Sequence, residues 1–176
     1  MKITFLTLSL LLVWSVTPGI AADSEESPNP IDLLASRSLD DWFFYHDNER
    51  VKKEDVLSFS DDGILLSTNR PLGYFATKEE FGNFKLIVEW RWPEKPGNSG
   101  VYFRITGEPM AFPKCFEAQL RPQDAGKLYA NHGKIFEGAG MREFEGRGSG
   151  ARRVIPEKLD AQNPLGEWNQ YVITAI

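Results

Sequence analysis

Between Phe84 and Arg121 the chain carries three runs in which residues of opposite character alternate one for one. In the first, Phe84, Leu86, Val88, Trp90 and Trp92 alternate with Lys85, Ile87, Glu89 and Arg91. In the second, Val101, Phe103 and Ile105 alternate with Tyr102, Arg104 and Thr106; in the third, Phe116, Ala118 and Leu120 alternate with Glu117, Gln119 and Arg121. A period of two marks a strand with one face in a core, whereas a surface helix repeats its apolar positions every three or four residues. The three strands are predicted to share one antiparallel sheet, with Trp90, Phe103 and Ala118 facing the core. The opposite face then presents Glu89, Arg91, Tyr102, Arg104, Glu117, Gln119 and Arg121. Planar hydrogen-bonding groups beside an aromatic ring make a surface suited to a sugar.

The rest of the chain adds further short strands. Trp42–Tyr45 and Leu72–Thr77 are strand candidates, and Val56–Ser60 and Gly63–Thr68 flank Asp61-Asp62-Gly63, an Asp-Gly turn signal of a hairpin. From Pro122 to Asn163 the pattern weakens, and only Lys127–Ala130 and Lys134–Phe136 read as strands there. Gly138–Gly150 carries five glycines, and the overlapping basic, glycine-rich run Arg142–Arg153 reads as a solvated loop, with a lid as the sharper alternative. Alternation returns in Trp168–Ile176. Many short strands separated by turn signals, with no heptad or amphipathic helix, predict an all-β sandwich or jelly roll.

The N-terminus reads differently. Met1-Lys2, the apolar run Ile3–Val16 and the small residues up to Ala22 have the layout of a secretory signal peptide, with cleavage expected near Ala22. Residues 1–22 are thus a leader, 23–30 a polar linker and 31–176 the folded domain. The chain stops inside a strand pattern, so that domain is expected to be incomplete at its C-terminus. Export places the mature chain in a bacterial periplasm or outside the cell, with no membrane association once the leader is gone.

Composition narrows the function. The 176 residues carry a formal net charge of −5, which disfavours nucleic acid as a partner because phosphate binding needs a basic stripe. One cysteine, Cys115, allows neither an internal disulfide nor a thiolate cluster; it reads as a small core residue. The two histidines, His46 and His132, fall in loops, and no His/carboxylate set has ligand-like spacing, so no metal ligand is assigned. A divalent cation as cofactor and the oligomeric state are left open.

Four motifs in order carry a resemblance: the strand ending Glu89-Trp90-Arg91, the segment Gly97-Asn98-Ser99-Gly100-Val101 with Arg104, Cys115-Phe116-Glu117-Ala118-Gln119-Leu120, and Gly166-Glu167-Trp168-Asn169. Together they resemble the 3-keto-disaccharide hydrolase domain family, from about Leu39 to Ile176. The resemblance implies a concanavalin A-like jelly roll and a carbohydrate substrate already oxidised at C3 of the sugar. The ketone acidifies the C2 proton, a base removes it, the glycosidic bond leaves by elimination, and hydration completes a net hydrolysis. Carried over by motif, Glu117, Glu89 and Arg104 are the catalytic candidates. Gln119, Asn98, Ser99, Tyr102 and His132 are candidates for substrate binding.

Physical chemistry supports those types. Two carboxylates on one face raise the pKa of one of them, and a raised pKa suits a base. A cation such as Arg104 steadies a developing enolate oxygen. The plainer alternative is that Glu89/Arg91 and Arg104/Glu117 are cross-strand ion pairs on a wet face. At the level of function, a non-catalytic carbohydrate-binding module on the same fold is the rival reading.

Overall fold

The alternating runs do become strands, but they divide between two layers. The computed structural model describes residues 4–7, 29–132, 141–142, 152–154 and 161–176, the first, third and fourth of these by backbone alone. In chain order the strands are β1 (Thr4–Thr7), β2 (Trp42–His46), β3 (Leu57–Phe59), β4 (Leu65–Ser67), β5 (Gly73–Thr77) and β6 (Phe84–Arg91). They continue with β7 (Gly100–Thr106), β8 (Lys114–Gln119), β9 (Leu128–Ala130), β10 (Met141–Arg142), β11 (Arg152–Val154) and β12 (Asn169–Ala175). One helical turn, α1 (Lys53–Val56), precedes β3.

The first sheet has the order β12-β6-β1-β4-β3 and the second β10-β11-β9-β8-β7, while β2 and β5 form a separate ribbon. Every pairing among the described residues is antiparallel. The β3–β4 hairpin turns at Asp61-Asp62-Gly63 as the sequence predicts, with Gly63 at φ +84° and the Ile64 N–H donating to the Ser60 hydroxyl at 3.0 Å. The all-β, sandwich reading is borne out.

The two sheets meet through a buried cluster of Val88, Trp90, Trp92 and Leu120, against which Leu86, Val101, Ala125 and Tyr171 pack. A second cluster, Leu34, Val56, Leu57 and Leu65, is covered by Trp42, Phe44 and Phe75 of the β2–β5 ribbon. The ribbon thus lies over β3 and β4 as the second sheet lies over β6 and β12. The Tyr74 ring of β5 and the Tyr102 ring of β7 are 6.2 Å apart, so the ribbon continues the second layer past β7.

The expectation of one sheet holding β6, β7 and β8 is corrected: β6 belongs to the first sheet, β7 and β8 to the second. Parity tells which side chains face a core but not which strand supplies the partner. Both edges of β6 are already taken, by β12 along Phe84–Trp90 and by β1 at Glu89–Arg91. In consequence Glu89, which alternates with the buried Val88 and Trp90, faces outward from the first layer. Glu117 alternates with Ala118, the register partner of Val101, and faces outward from the second.

The weak stretch after Pro122 holds more strand than its pattern suggests: β10 and β11 extend the second sheet beyond β9. The expected strand Lys134–Phe136 and most of the glycine-rich stretch lie outside the described residues. So does most of the stretch expected to be a leader; its residues Thr4–Thr7 pair between β6 and β4.

Among the described residues more than one polar bond joins the layers: the Tyr171 hydroxyl of β12 donates to the Gln119 backbone carbonyl of β8 at 2.5 Å, and Trp92 makes another. The indole N–H of Trp92, whose side chain is almost wholly buried, donates to the Leu120 carbonyl at 2.9 Å. Replacing Trp92 by Phe strips a buried acceptor of its donor, which costs about 1–3 kcal/mol. Urea unfolding of Trp92→Phe is expected to show a loss of at least that size, with the vacated volume adding to it.

Candidate functional site

Side chains directly opposite in neighbouring antiparallel strands point to the same side of the sheet. In the second layer Tyr102 of β7 stands opposite Glu117 of β8, and Glu117 stands opposite Tyr129 of β9. The backbone register carries the same row on to Arg153 of β11 and Arg142 of β10. Glu117 therefore lies near the middle of a cross-strand row on the outward face of the layer.

Its carboxylate is closely held. One oxygen accepts a hydrogen bond from the Asn131 side-chain amide at 3.0 Å. The other faces the Gln119 side-chain amide at 3.4 Å. The chain beneath it is Gly100, paired with Gln119 and so diagonal to Glu117. A Cβ on Gly100 would stand 2.4 Å from the Glu117 Oε1 and 2.6 Å from its Cγ, closer than real Cβ atoms approach other atoms. Glycine there lets the carboxylate side chain lie directly on the neighbouring backbone, and a Cβ would make that side chain shift.

Burial sets the chemistry. Removal from water pushes the Glu117 pKa up from the ordinary carboxylate range, and the Asn131 hydrogen bond, which favours the charged form, pulls part of the way back. Tyr102 is pushed up strongly, first by burial and then by the Glu117 charge, so its phenol keeps its proton throughout the working pH range. The site thus sets a carboxylate of raised proton affinity opposite, on the neighbouring strand, a tyrosine that stays neutral.

The remaining candidates fall as follows. Gln119 is buried, and its carbonyl oxygen accepts from the Leu120 and Arg121 N–H groups at 2.9 and 2.8 Å, so only its amide nitrogen turns to Glu117. Asn98 is exposed; the Ser99 carbonyl accepts from the Leu120 N–H at 2.9 Å, which ties that loop to the end of β8. His132 follows Asn131 in a left-handed backbone conformation, φ 50°. Glu89 lies on the other layer, where the Gln170 side-chain amide stands 3.4 Å from it. The expected pairing of Glu89 with Glu117 on one face is thus corrected.

Arg104 also departs from expectation. The register slips between Phe103 and Thr106, one extra residue on β7, and Arg104 sits in that bulge at φ 55°. Its guanidinium carbon lies 5.6 Å from the centroid of the Phe84 ring, on β6 of the other layer. Among the described residues no ion pair joins Arg104 to Glu117. A bulge reverses the phase of a strand, which alternation alone cannot reveal.

Sequence reasoning missed two members of the site. Asn131 bonds Glu117, and its side-chain nitrogen also lies 3.7 Å from the Cys115 sulfur. Cys115 is buried as expected but shares the face of Glu117, two residues along β8. For Cys115 the signal was parity, since 115, 117 and 119 fall together on β8; Asn131 follows a strand of three residues, too short to show one. Among the described residues no three His, Cys, Asp or Glu side chains gather as a metal site.

Compared with known families, the model of the 3-keto-alpha-glucoside-1,2-lyase-like domain matches residues 29–176. No curated protein and no solved structure matches the chain.

A buried carboxylate with a raised pKa has a thermodynamic signature. Below the unfolded-state pKa both states are protonated and Glu117 costs nothing. As pH rises through the folded-state pKa the unfolded chain ionises first, and stability is lost. Glu117→Gln removes that loss. It is expected to melt above the wild type at pH 7 and level with it at pH 3, by calorimetry at both pH values.

Proposed function

We propose, since this chain belongs to the 3-keto-alpha-glucoside-1,2-lyase-like domain family over residues 29–176, that it cleaves 3-keto-glycosides with Glu117 as the base. The observation that carries the reading is the setting of Glu117. It is a carboxylate on the interior of a strand, raised in pKa by burial, held by Asn131 and seated over Gly100.

The chemistry runs in two stages. The ketone at C3 makes the C2–H bond acidic. Glu117 takes the C2 proton, and the electron pair moves into an enolate whose charge sits on the former ketone oxygen. Collapse of the enolate forms the C1–C2 double bond and expels the leaving-group oxygen from C1, which takes a proton. Water then adds across that double bond, its oxygen to C1, giving the free 3-keto sugar. The phenol of Tyr102, kept protonated, is the donor that steadies the enolate oxygen, the part the sequence assigned to Arg104. Gln119 and Asn131 position the carboxylate, and Asn98, Ser99 and His132 belong to the surrounding loops. The pattern of residues 1–22 supports the further reading that the protein acts after export, in the periplasm or outside the cell.

Two experiments test this. Glu117→Gln should lose at least about a hundredfold in rate on a 3-keto-glucoside, the usual scale for a general base. The unoxidised glucoside should not react, because a carboxylate is far too weak to remove its C2 proton. If both sugars bind, neither is cleaved and Glu117→Gln alters affinity alone, a carbohydrate-binding module is the correct description.

Gly100→Ala probes the same site from below. The added methyl displaces the Glu117 side chain by the overlap described above, while the φ of Gly100 lies outside the left-handed region, so the backbone tolerates alanine. Turnover on the 3-keto-glucoside should drop at least about tenfold with circular dichroism unchanged, a 1 Å misplacement being enough for such losses. Full activity in Gly100→Ala would remove the Glu117 assignment.

A further inference from the structure

The row that holds Glu117 is not symmetric. On one side the register leads through Tyr129 to Arg153 and Arg142. On the other it leads through Tyr102 to Tyr74 and Tyr45 of the β5–β2 ribbon, which stand opposite each other in register. Tyr45 and Tyr74 are stacked, centroids 5.7 Å apart and planes 26° apart, and Phe43, 39% exposed, leans on Tyr74 at 5.9 Å. Trp42, Phe44 and Phe75 of the same ribbon already cover the core beneath, so this second aromatic set is not needed to close it. Tyr45 and Tyr74 keep part of their surface in solvent. The Tyr45 hydroxyl donates to Asp47 at 3.1 Å. Asp47 in turn lines an open cavity of about 540 Å³ with Arg70, Pro71 and Leu72.

We propose that this tyrosine shelf is the leaving-group subsite, and that its ligand is an aromatic ring: the chain favours 3-keto-glycosides of aryl alcohols. The inference rests on the reading of Glu117 as the base. Its chemistry is in the ring geometry. Because the Tyr45 and Tyr74 rings stack on each other, the faces they turn to one another are closed to a ligand, and a group lying across both meets their edges. Edges carry the positive end of the ring quadrupole, so a flat aryl group lying across them makes edge-to-face contacts with its negative face. A sugar residue has no such face. The direction follows from the row, since the stacked, part-exposed rings that continue it lie on the Tyr102 side of Glu117. The stacking also holds the two tyrosine rings in one orientation before the ligand arrives.

The test uses unoxidised glucosides as competitive inhibitors, which bind without reacting, so leaving-group reactivity does not enter. Inhibition of 3-keto-glucoside cleavage by 4-nitrophenyl α-glucoside, methyl α-glucoside and maltose is compared in the wild type, Tyr45→Phe and Tyr45→Ala. The aryl glucoside is expected to bind about tenfold more tightly than the methyl glucoside in the wild type and in Tyr45→Phe. That preference should fall to about threefold or less in Tyr45→Ala, with methyl glucoside inhibition unchanged. Equal inhibition constants for aryl and methyl glucosides in the wild type overturn the proposal whatever the variants do. Maltose binding as tightly as the aryl compound overturns the aromatic assignment. If the aryl preference is present but Glu117→Gln turns over normally, the base assignment fails and the subsite stands.

Discussion

The hydrogen bond from the Trp92 indole to the Leu120 carbonyl fixes how the two layers sit on each other. With the bond from the Tyr171 hydroxyl to the Gln119 carbonyl, it is a directional contact inside a mainly apolar interface, and apolar packing alone would allow the sheets to slide. Trp92 follows β6 in the first layer and Leu120 follows β8 in the second. The Leu120 N–H in turn binds the Ser99 carbonyl just before β7, so one tryptophan pins three strand ends. The loop after it wraps over the ring, and Gly97 comes so close that a Cβ would stand 2.2 Å from the indole. The register of β7 on β8 starts from this point. The pairing of Gly100 with Gln119, and of Tyr102 with Glu117, follows by counting.

The polar face lies on the outside of the second layer, and that explains how a carboxylate there can be both desolvated and reachable. Tyr102 on one side and Tyr129 on the other flank Glu117, while Cys115, Gln119 and Asn131 fill in around it. The result is a shallow, half-buried environment on rigid strands. A loop could not hold the same groups, because the hydrogen bonds that orient the carboxylate come from side chains whose own backbones are locked in ladders. Asn131 is the clearest case: its N–H pairs with the Cys115 carbonyl at 2.9 Å while its side chain reaches Glu117.

What could be read in advance was whatever depends on parity. The strands carrying Trp90, Tyr102 and Glu117, the core side of Trp90 and Trp92, and the Asp-Gly hairpin all follow from local pattern. The partnership of strands does not, and the two misplacements show why. Glu89 has the right parity on the wrong layer, since the pairing of β6 with β12 links segments some eighty residues apart. Arg104 has the right strand but lies at a bulge, where one added residue reverses the faces. Asn131 was hidden for a third reason: β9 is three residues long, too short for alternation to be visible, yet its register against β8 brings the residue after it to the site.

Gly100 and Glu117 share one small volume, and that has a consequence for how the sequence can drift. Every single-nucleotide change of a glycine codon that leaves a sense codon for another amino acid adds a Cβ, so no such first step at position 100 is free while position 117 carries a full-length glutamate. Shortening position 117 first to aspartate would make room, but it withdraws the carboxylate from Asn131 before anything is gained. The two positions are therefore coupled: what is accommodated at one depends on the side chain at the other. A side chain at position 100 is thus expected to be accompanied by a shorter or differently placed side chain at position 117.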